Sequence, residues 1–329
     1  MTQRFKQPKN WVFKDFTNTD GKAVRYGTAK PKGDIKGTVV MTTGYADFTE
    51  AYFETIHDYL DRGFEVWMMD WPGHGGSERY DPKRPMCPGP KGMPSYVRDL
   101  NKFYHKIINP AKDKPVFLNT HSMGGHVALH YIQQYPKDFN FVVMAAPFVD
   151  YDMHPFRKHI MGNLARVLNK VGFGNKRIKS NSKAVDRIKE TRKKYAKQEP
   201  VRMRLHKKHA KENPSLRIGD PTISWLTEAF NAATKLNNKK ILEKIETPVL
   251  IGAAENDGLV DNGAAKRASH QMPNAKYVCL KGATHLLWTE REEIREVWWK
   301  EVDTFIEEEI KGFYKNQTPL PKKNPKNKL

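Results

Sequence analysis

Short apolar runs alternate along this chain with segments of helical spacing. Residues 38–42 (TVVMT), 66–69, 115–120, 141–146, 248–254 and 277–280 are apolar stretches of strand length. Before them, residues 11–16 and 23–28 are rich in β-formers and flank a turn at Asp20-Gly21, which predicts a strand pair. Residues 52–62 put Phe53, Ile56 and Leu60 on one helical face and stop at Gly63. Residues 124–135, 262–271 and 291–309 also read as helices, and Ser95 is expected to cap another that runs to about Asn109. The proline density of residues 81–94 (DPKRPMCPGPKGMP) excludes both helix and strand there. Apolar strands separated by helices mean an α/β fold, a mainly parallel sheet covered on both faces.

The alternation breaks over residues 148–240, which are helical in pieces, with Gly172, Gly174 and Pro200 as interruptions. This block is an insertion between two strands of the sheet. It is also where the charge sits. The net charge is +20, of which residues 151–240 carry +16 and residues 311–329 carry +6, leaving about −2 for everything else. The expected organisation is a near-neutral core at 1–147 and 241–312, a basic helical cap at 148–240, and a basic, disordered tail at 313–329. Such a chain is neither wholly disordered nor a uniformly basic nucleic-acid protein. Cys87 lies in the proline-rich loop and Cys279 in an apolar run, where it is expected to be a small core residue. The two cysteines offer no disulfide framework and no metal-site spacing. With no apolar leader and no stretch of about 18 apolar residues, a cytoplasmic protein is expected.

The sharpest chemical signal is Thr120-His-Ser122-Met-Gly-Gly125, where a strand runs straight into a helix with a serine at the corner. Gly124 and Gly125 keep the crowded turn small, and the helix N-terminus behind the hydroxyl favours negative charge. This is a G-x-S-x-G nucleophile elbow in which Thr120 replaces the first glycine. A hydrolase built on such an elbow needs an acid after a late strand and a histidine after the last one. The segment after residue 254 supplies Glu255, Asp257 and Asp261, and GATH supplies His285. Two donors must hold an oxyanion. One is the backbone N–H of Met123, and the other is expected from Tyr45, in the loop after residues 38–42, where Gly44 keeps the backbone open. Phe148, Trp225 and Phe230 in the insertion are candidate substrate contacts. The pair His206/His209 has helical spacing but no acidic partner, so no metal is expected.

The elbow, Asp70–Ser77 (DWPGHGGS), the Asp257 loop, GATH and the segment 220–230 (DPTISWLTEAF) together resemble the α/β-hydrolase superfamily, and within it bacterial lysophospholipases and monoacylglycerol lipases. The resemblance implies an eight-stranded sheet with a helical cap after the sixth strand, and a triad of Ser122, Asp257 and His285. Asp257 lies three residues beyond Ala254, whereas Asp261 directly precedes a helix and suits a capping role. The implied activity is hydrolysis of a monoacyl lipid ester, a lysophospholipid or a monoacylglycerol, through an acyl-enzyme and without a cofactor. The rivals are a small-ester esterase or an aminopeptidase on the same fold, and a non-enzymatic nucleic-acid or scaffold protein. Nucleic acid is not expected, because the basic block has sparse aromatics for stacking. Its charge fits peripheral contact with an anionic membrane.

Overall fold

The computed structural model describes residues 3–89, 92–151, 153–178, 190, 193 and 201–317. Eight strands, β1 (Val12–Thr17), β2 (Ala23–Ala29), β3 (Gly37–Thr42), β4 (Phe64–Met69), β5 (Val116–His121), β6 (Phe141–Ala145), β7 (Val249–Ala254) and β8 (Ala275–Leu280), form one sheet in the order 1-2-4-3-5-6-7-8. The β1–β2 hairpin and the β2–β4 pair are antiparallel, and the remaining pairs are parallel. Every residue of β3, β5, β6 and β7 is buried. Uninterrupted apolar runs at these positions follow from burial of both faces.

Helices cover the two faces. One carries α2 (Gly92–Lys102), α3 (Met123–Gln134) and α8 (Asn262–Gln271), and the other carries α1 (Phe53–Asp61) and α9 (Glu292–Gln317). The α9 face is rich in tryptophan. Trp298 packs so closely on β7 that a side chain at Gly252 would meet its ring at 2.5 Å. After β6 the chain leaves the sheet and forms a helical insertion: α4 (Pro155–Leu168), α5 (Leu205–Glu212), α6 (Ile223–Leu236) and α7 (Lys239–Leu242). A buried ion pair ties the insertion to the body. Arg202 donates to both oxygens of Glu54 on α1, at 2.7 and 2.9 Å, and a third donor reaches the backbone oxygen of Glu290.

Four expectations change. α2 begins at Gly92, inside the segment 81–94 from which helix was excluded, because Pro94 falls in the first turn, where no N–H is needed; Ser95 therefore lies within α2, where its hydroxyl donates to Gly92 O, and is not a cap. The helix does run to about Asn109 as expected, its last part, Phe103–Ile108, widened into a π-helix that Asn109 caps with φ 41°. Cys279 is exposed, because β8 is the sheet's outer strand and only partly covered. The tail expected to be disordered from 313 is helical through Gln317, as the amphipathic spacing of α9 carries past Gly312. Residues 318–329 lie outside the described residues.

Candidate active site

Tyr45, Ser122, Asp257 and His285 follow the carboxyl ends of β3, β5, β7 and β8, where this sheet class leaves a crevice. β5 is followed directly by Ser122, whose φ of 50° and ψ of −114° place a non-glycine residue in a strained region. The conformation is enforced by close packing. A side chain at Gly124 would sit 2.7 Å from Thr42 Oγ1, and one at Gly125 would sit 2.6 Å from the Pro147 ring. Thr120 is accommodated in place of the first glycine because it meets position 125, where there is no side chain.

His285, on the loop after β8, bridges two residues. Its Nε2 accepts from Ser122 Oγ at 2.9 Å, and its Nδ1–H donates to Asp257 Oδ2 at 2.8 Å. His285 is 4% exposed and Asp257 fully buried, so both hydrogen bonds are shielded from competing water. The other oxygen of Asp257 accepts from the N–H groups of Leu259 and Val260 at 2.9 and 3.2 Å. Burial pushes the Asp257 carboxyl up, but His285 and these N–H groups outweigh it and hold the carboxyl below its ordinary range. A carboxyl lowered in this way adds stability above its unfolded value and loses it as pH falls through the folded one. Asp257 therefore stays ionised at neutral pH.

The neighbouring acids are otherwise engaged. Asp261 accepts from Ala264 N at 3.0 Å as the N-cap of α8, and Glu255 accepts from Gly282 N at 2.8 Å. Gly44 lies against the elbow, where a side chain would meet the His121 ring at 3.0 Å and Ser122 Cβ at 3.2 Å. This contact brings the loop carrying Tyr45 onto the serine. Met123 is the first residue of α3, so its N–H belongs to the unpaired first turn of the helix.

Among the candidate substrate contacts, Phe148 is joined to the elbow through its N–H, which donates to Ser122 O at 2.9 Å, and its ring stacks on His126. Trp225 packs on Tyr45 with ring centroids 4.7 Å apart, and Phe230 packs on Tyr151 at the same distance. All three are buried. Burial lowers His74 to about 4 and His126 to about 3, so both are neutral. His206 faces Ala46 O and Asp47, and His209 faces Glu212.

Two supporting groups escaped the sequence reading. Glu290 is buried and accepts from Thr284 N at 2.7 Å, which orders the loop that carries His285. Trp71 Nε1 donates to Thr43 O at 2.8 Å and so braces the Tyr45 loop from below. Only the proximity of Glu290 to GATH could have suggested the first. Asp70 wraps the turn after β4, accepting from Thr49 N at 2.9 Å and Gly76 N at 2.8 Å.

The arrangement can deliver a serine oxygen to an electrophilic carbon while a histidine takes the proton. The sequence profile of the family described as serine aminopeptidase, S33, matches residues 33–292. The chain belongs to this family. As an S33 member it is a serine hydrolase of the α/β-hydrolase superfamily. Similar proteins include the probable lysophospholipase L2 of Haemophilus influenzae, 25% identical over 281 residues that cover 84% of this chain and 86% of that protein. Caffeoylshikimate esterase of Arabidopsis thaliana is 24% identical, covering 91% of this chain and 86% of the relative. Among solved structures, the thermostable carboxyl esterase of Bacillus coagulans shares the fold with a TM-score of 0.74 at 18% identity, covering 92% of this chain and all of that one. A soluble variant of monoglyceride lipase from Saccharomyces cerevisiae has a TM-score of 0.69 at 18% identity, covering 92% and 96%.

The elbow strain is measurable. Ser122→Gly and Ser122→Ala both remove the hydroxyl, but only alanine keeps a Cβ at φ 50°. The glycine variant should be more stable in urea unfolding by about 1 kcal/mol. An alanine variant as stable or more stable would mean that the backbone is unstrained.

Proposed function

We propose that the chain hydrolyses the ester bond of a monoacyl lipid. Ser122 Oγ attacks the carbonyl carbon as its proton passes to His285 Nε2. The tetrahedral oxyanion is held by the N–H groups of Met123 and Tyr45. His285 then gives the proton to the leaving alcohol oxygen, the carbon–oxygen bond breaks, and an acyl-Ser122 ester remains. Water, deprotonated by His285, cleaves that ester and releases the fatty acid. Asp257 keeps His285 in the tautomer with hydrogen on Nδ1 and stabilises its cation. The observation that carries this reading is the position of His285 between Ser122 Oγ and Asp257 Oδ2.

The monoacyl-lipid substrate is supported by two features. Relatives along most of the chain bear the name lysophospholipase L2, and shorter matches bear the name monoglyceride lipase. The insertion also brings Trp225 onto Tyr45 and Phe148 onto the elbow, apolar surface suited to an acyl chain. Hydrolysis should be tested on p-nitrophenyl esters of graded chain length, monoacylglycerols, lysophospholipids and aminoacyl anilides, the last because the family description names a peptidase. The long monoacyl esters should be turned over fastest. Preference for anilides or for acetate esters would contradict the substrate proposed. Asp257→Asn should lower kcat by about 10³–10⁴. Asp261→Asn, which alters a helix cap, should leave kcat close to that of the wild type. The reverse ranking, with both variants folded, would exchange the two roles.

The same reading places the insertion at an anionic membrane surface. Phe156, Ile160, Leu164 and Val167 of α4 are exposed along one side of the helix, with Val171 beyond it. Arg157, Lys158, Arg166 and Lys170 flank them. An apolar stripe edged by cations suits an interfacial helix, and each basic residue near an anionic surface contributes about 1 kcal/mol. Co-sedimentation with vesicles should require anionic lipid, weaken with salt, and fall when Ile160 and Leu164 are changed to serine. Equal binding to neutral vesicles, or none to either, would remove the membrane from this account.

A further inference from the structure

One residue past the proposed oxyanion donor, Ala46 has φ 59°, in the left-handed region that favours glycine. Such a conformation persists only where contacts hold it. Two of these contacts come from the body of the fold. Trp71 Nε1 donates to Thr43 O at 2.8 Å, and Tyr52 Oη donates to Asp47 Oδ2 at 2.6 Å. Others come from the insertion. Tyr45 Oη donates to Gly219 O at 2.8 Å, and the Tyr45 ring packs on Trp225. His206 Nε2 lies 3.2 Å from Ala46 O, with its ring centred 4.5 Å from that of Phe48.

Gly219 is itself fixed in place. Its N–H donates to Met86 O at 2.9 Å, in the proline-rich segment 81–94, which the proposed ester chemistry leaves unused. A side chain at Gly219 would meet that same oxygen at 3.0 Å and would crowd the end of the Arg177 side chain. The peptide at Gly219 is therefore held through its N–H by one loop and offers its oxygen to Tyr45 in another. Burial above all pushes the Tyr45 phenol far up, so it keeps its proton and remains a donor at neutral and mildly alkaline pH. Three segments distant in sequence, the loop after β3, the proline-rich loop and the insertion, meet at this one backbone group.

We propose that the insertion sets the oxyanion hole, and that the Tyr45 phenol, through Gly219 O, is a positioning group for the Tyr45 N–H. An N–H stabilises an oxyanion only when it points at the place the charge will occupy. The loop that carries this N–H is strained at Ala46, so it turns away when a contact that holds it is lost. The residue that lends its backbone to the transition state takes its orientation from the insertion through its own side chain. A shift of the insertion therefore reaches the oxyanion directly. The positioning role rests on the proposed function; the hold of the phenol on the loop does not.

Tyr45→Phe removes the hydrogen bond and keeps the ring on Trp225, whereas Gly219→Ala crowds Met86 O and leaves Tyr45 intact. The hold is tested by hydrogen–deuterium exchange of the full-length chain. The amides of residues 43–48 should exchange several-fold faster in Tyr45→Phe than in the wild type. Unchanged exchange would overturn the proposal, whatever the enzyme hydrolyses. The role is tested with a trifluoromethyl ketone, whose carbonyl carbon bonds to Ser122 Oγ while its oxygen becomes the oxyanion and the serine proton passes to His285. In Tyr45→Phe the inhibition constant of the ketone should rise and kcat for the ester should fall, each by about 10-fold, with KM little changed. That is a fraction of the roughly 10²–10³ lost when an oxyanion donor is removed outright. Gly219→Ala should act in the same direction, and the double variant should be no worse than the more damaged single one, since both changes act through one bond. An unchanged inhibition constant, a change in KM alone, or losses that multiply in the double variant would overturn the positioning role. If Gly219→Ala does not fold, Tyr45→Phe decides alone. A wild-type chain that neither hydrolyses esters nor binds the ketone would fail the function reading and leave the exchange comparison standing.

Discussion

The structure turns on the unfavourable backbone at Ser122. A residue at φ 50° and ψ −114° persists only where its surroundings leave no alternative. Here β5 is fully buried between β3 and β6, and α3 begins at the next residue, so strand must become helix within one step. Gly124 and Gly125 occupy space where a methyl group would collide with neighbouring backbone loops, and one at Gly44 would press tightly on His121 and Ser122. The strain is held by the sheet, and the result is a hydroxyl lifted above the strand ends, on a surface otherwise closed by buried side chains. Everything brought to that hydroxyl, His285 and the Tyr45 loop included, comes from the end of another parallel strand.

The insertion stands in a different physical relation to the body. It carries most of the positive charge, yet its firmest tie is a buried one. Arg202 is 1% exposed at the side chain, pairs with Glu54, and touches the backbone of Glu290, whose carboxylate orders the loop bearing His285. Glu54 also pairs with Arg4 and lies 3.8 Å from Arg295, and Arg202 also reaches Glu292, so the tie is a network rather than an isolated pair. Other basic residues of the insertion lie nearer the surface, some of them paired, as Lys158 is with Asp150, and apolar side chains of α4 face solvent. The residues that anchor the insertion are thus separate from those to which the proposed membrane contact is assigned.

Much of this was legible in the sequence because the parallel strands are buried on both faces. Runs such as TVVMT and PVLIGAA leave little choice of element. The elbow was legible because the glycines it needs are adjacent in the chain. Cys279 was misread for the same reason in reverse: YVCL looks like a core strand, but β8 is the outer one and leaves it exposed. The end of α9 was obscured by lysine and asparagine, which sit comfortably on a solvated helix. The buried contacts of Tyr52 Oη with Asp47 Oδ2 at 2.6 Å and His121 Nδ1 at 2.9 Å could not be read at all. The three residues come from the end of β5 and the loop after β3, and each alone is an ordinary buried polar residue. Which buried polar groups meet is a property of three-dimensional contacts, which no local pattern encodes. The cap role of Asp261 was legible through a local rule, the preference of helix N-termini for a capping acid.

The central claim is that Ser122 is the one activated nucleophile. The most direct measurement is labelling of the intact chain with a fluorophosphonate probe, followed by identification of the modified peptide by mass spectrometry. A single adduct at Ser122 that forms in the wild type, and is absent from Ser122→Ala, is the result this account predicts. An adduct on any other serine with Ser122 unmodified, or labelling that persists in Ser122→Ala, would contradict it.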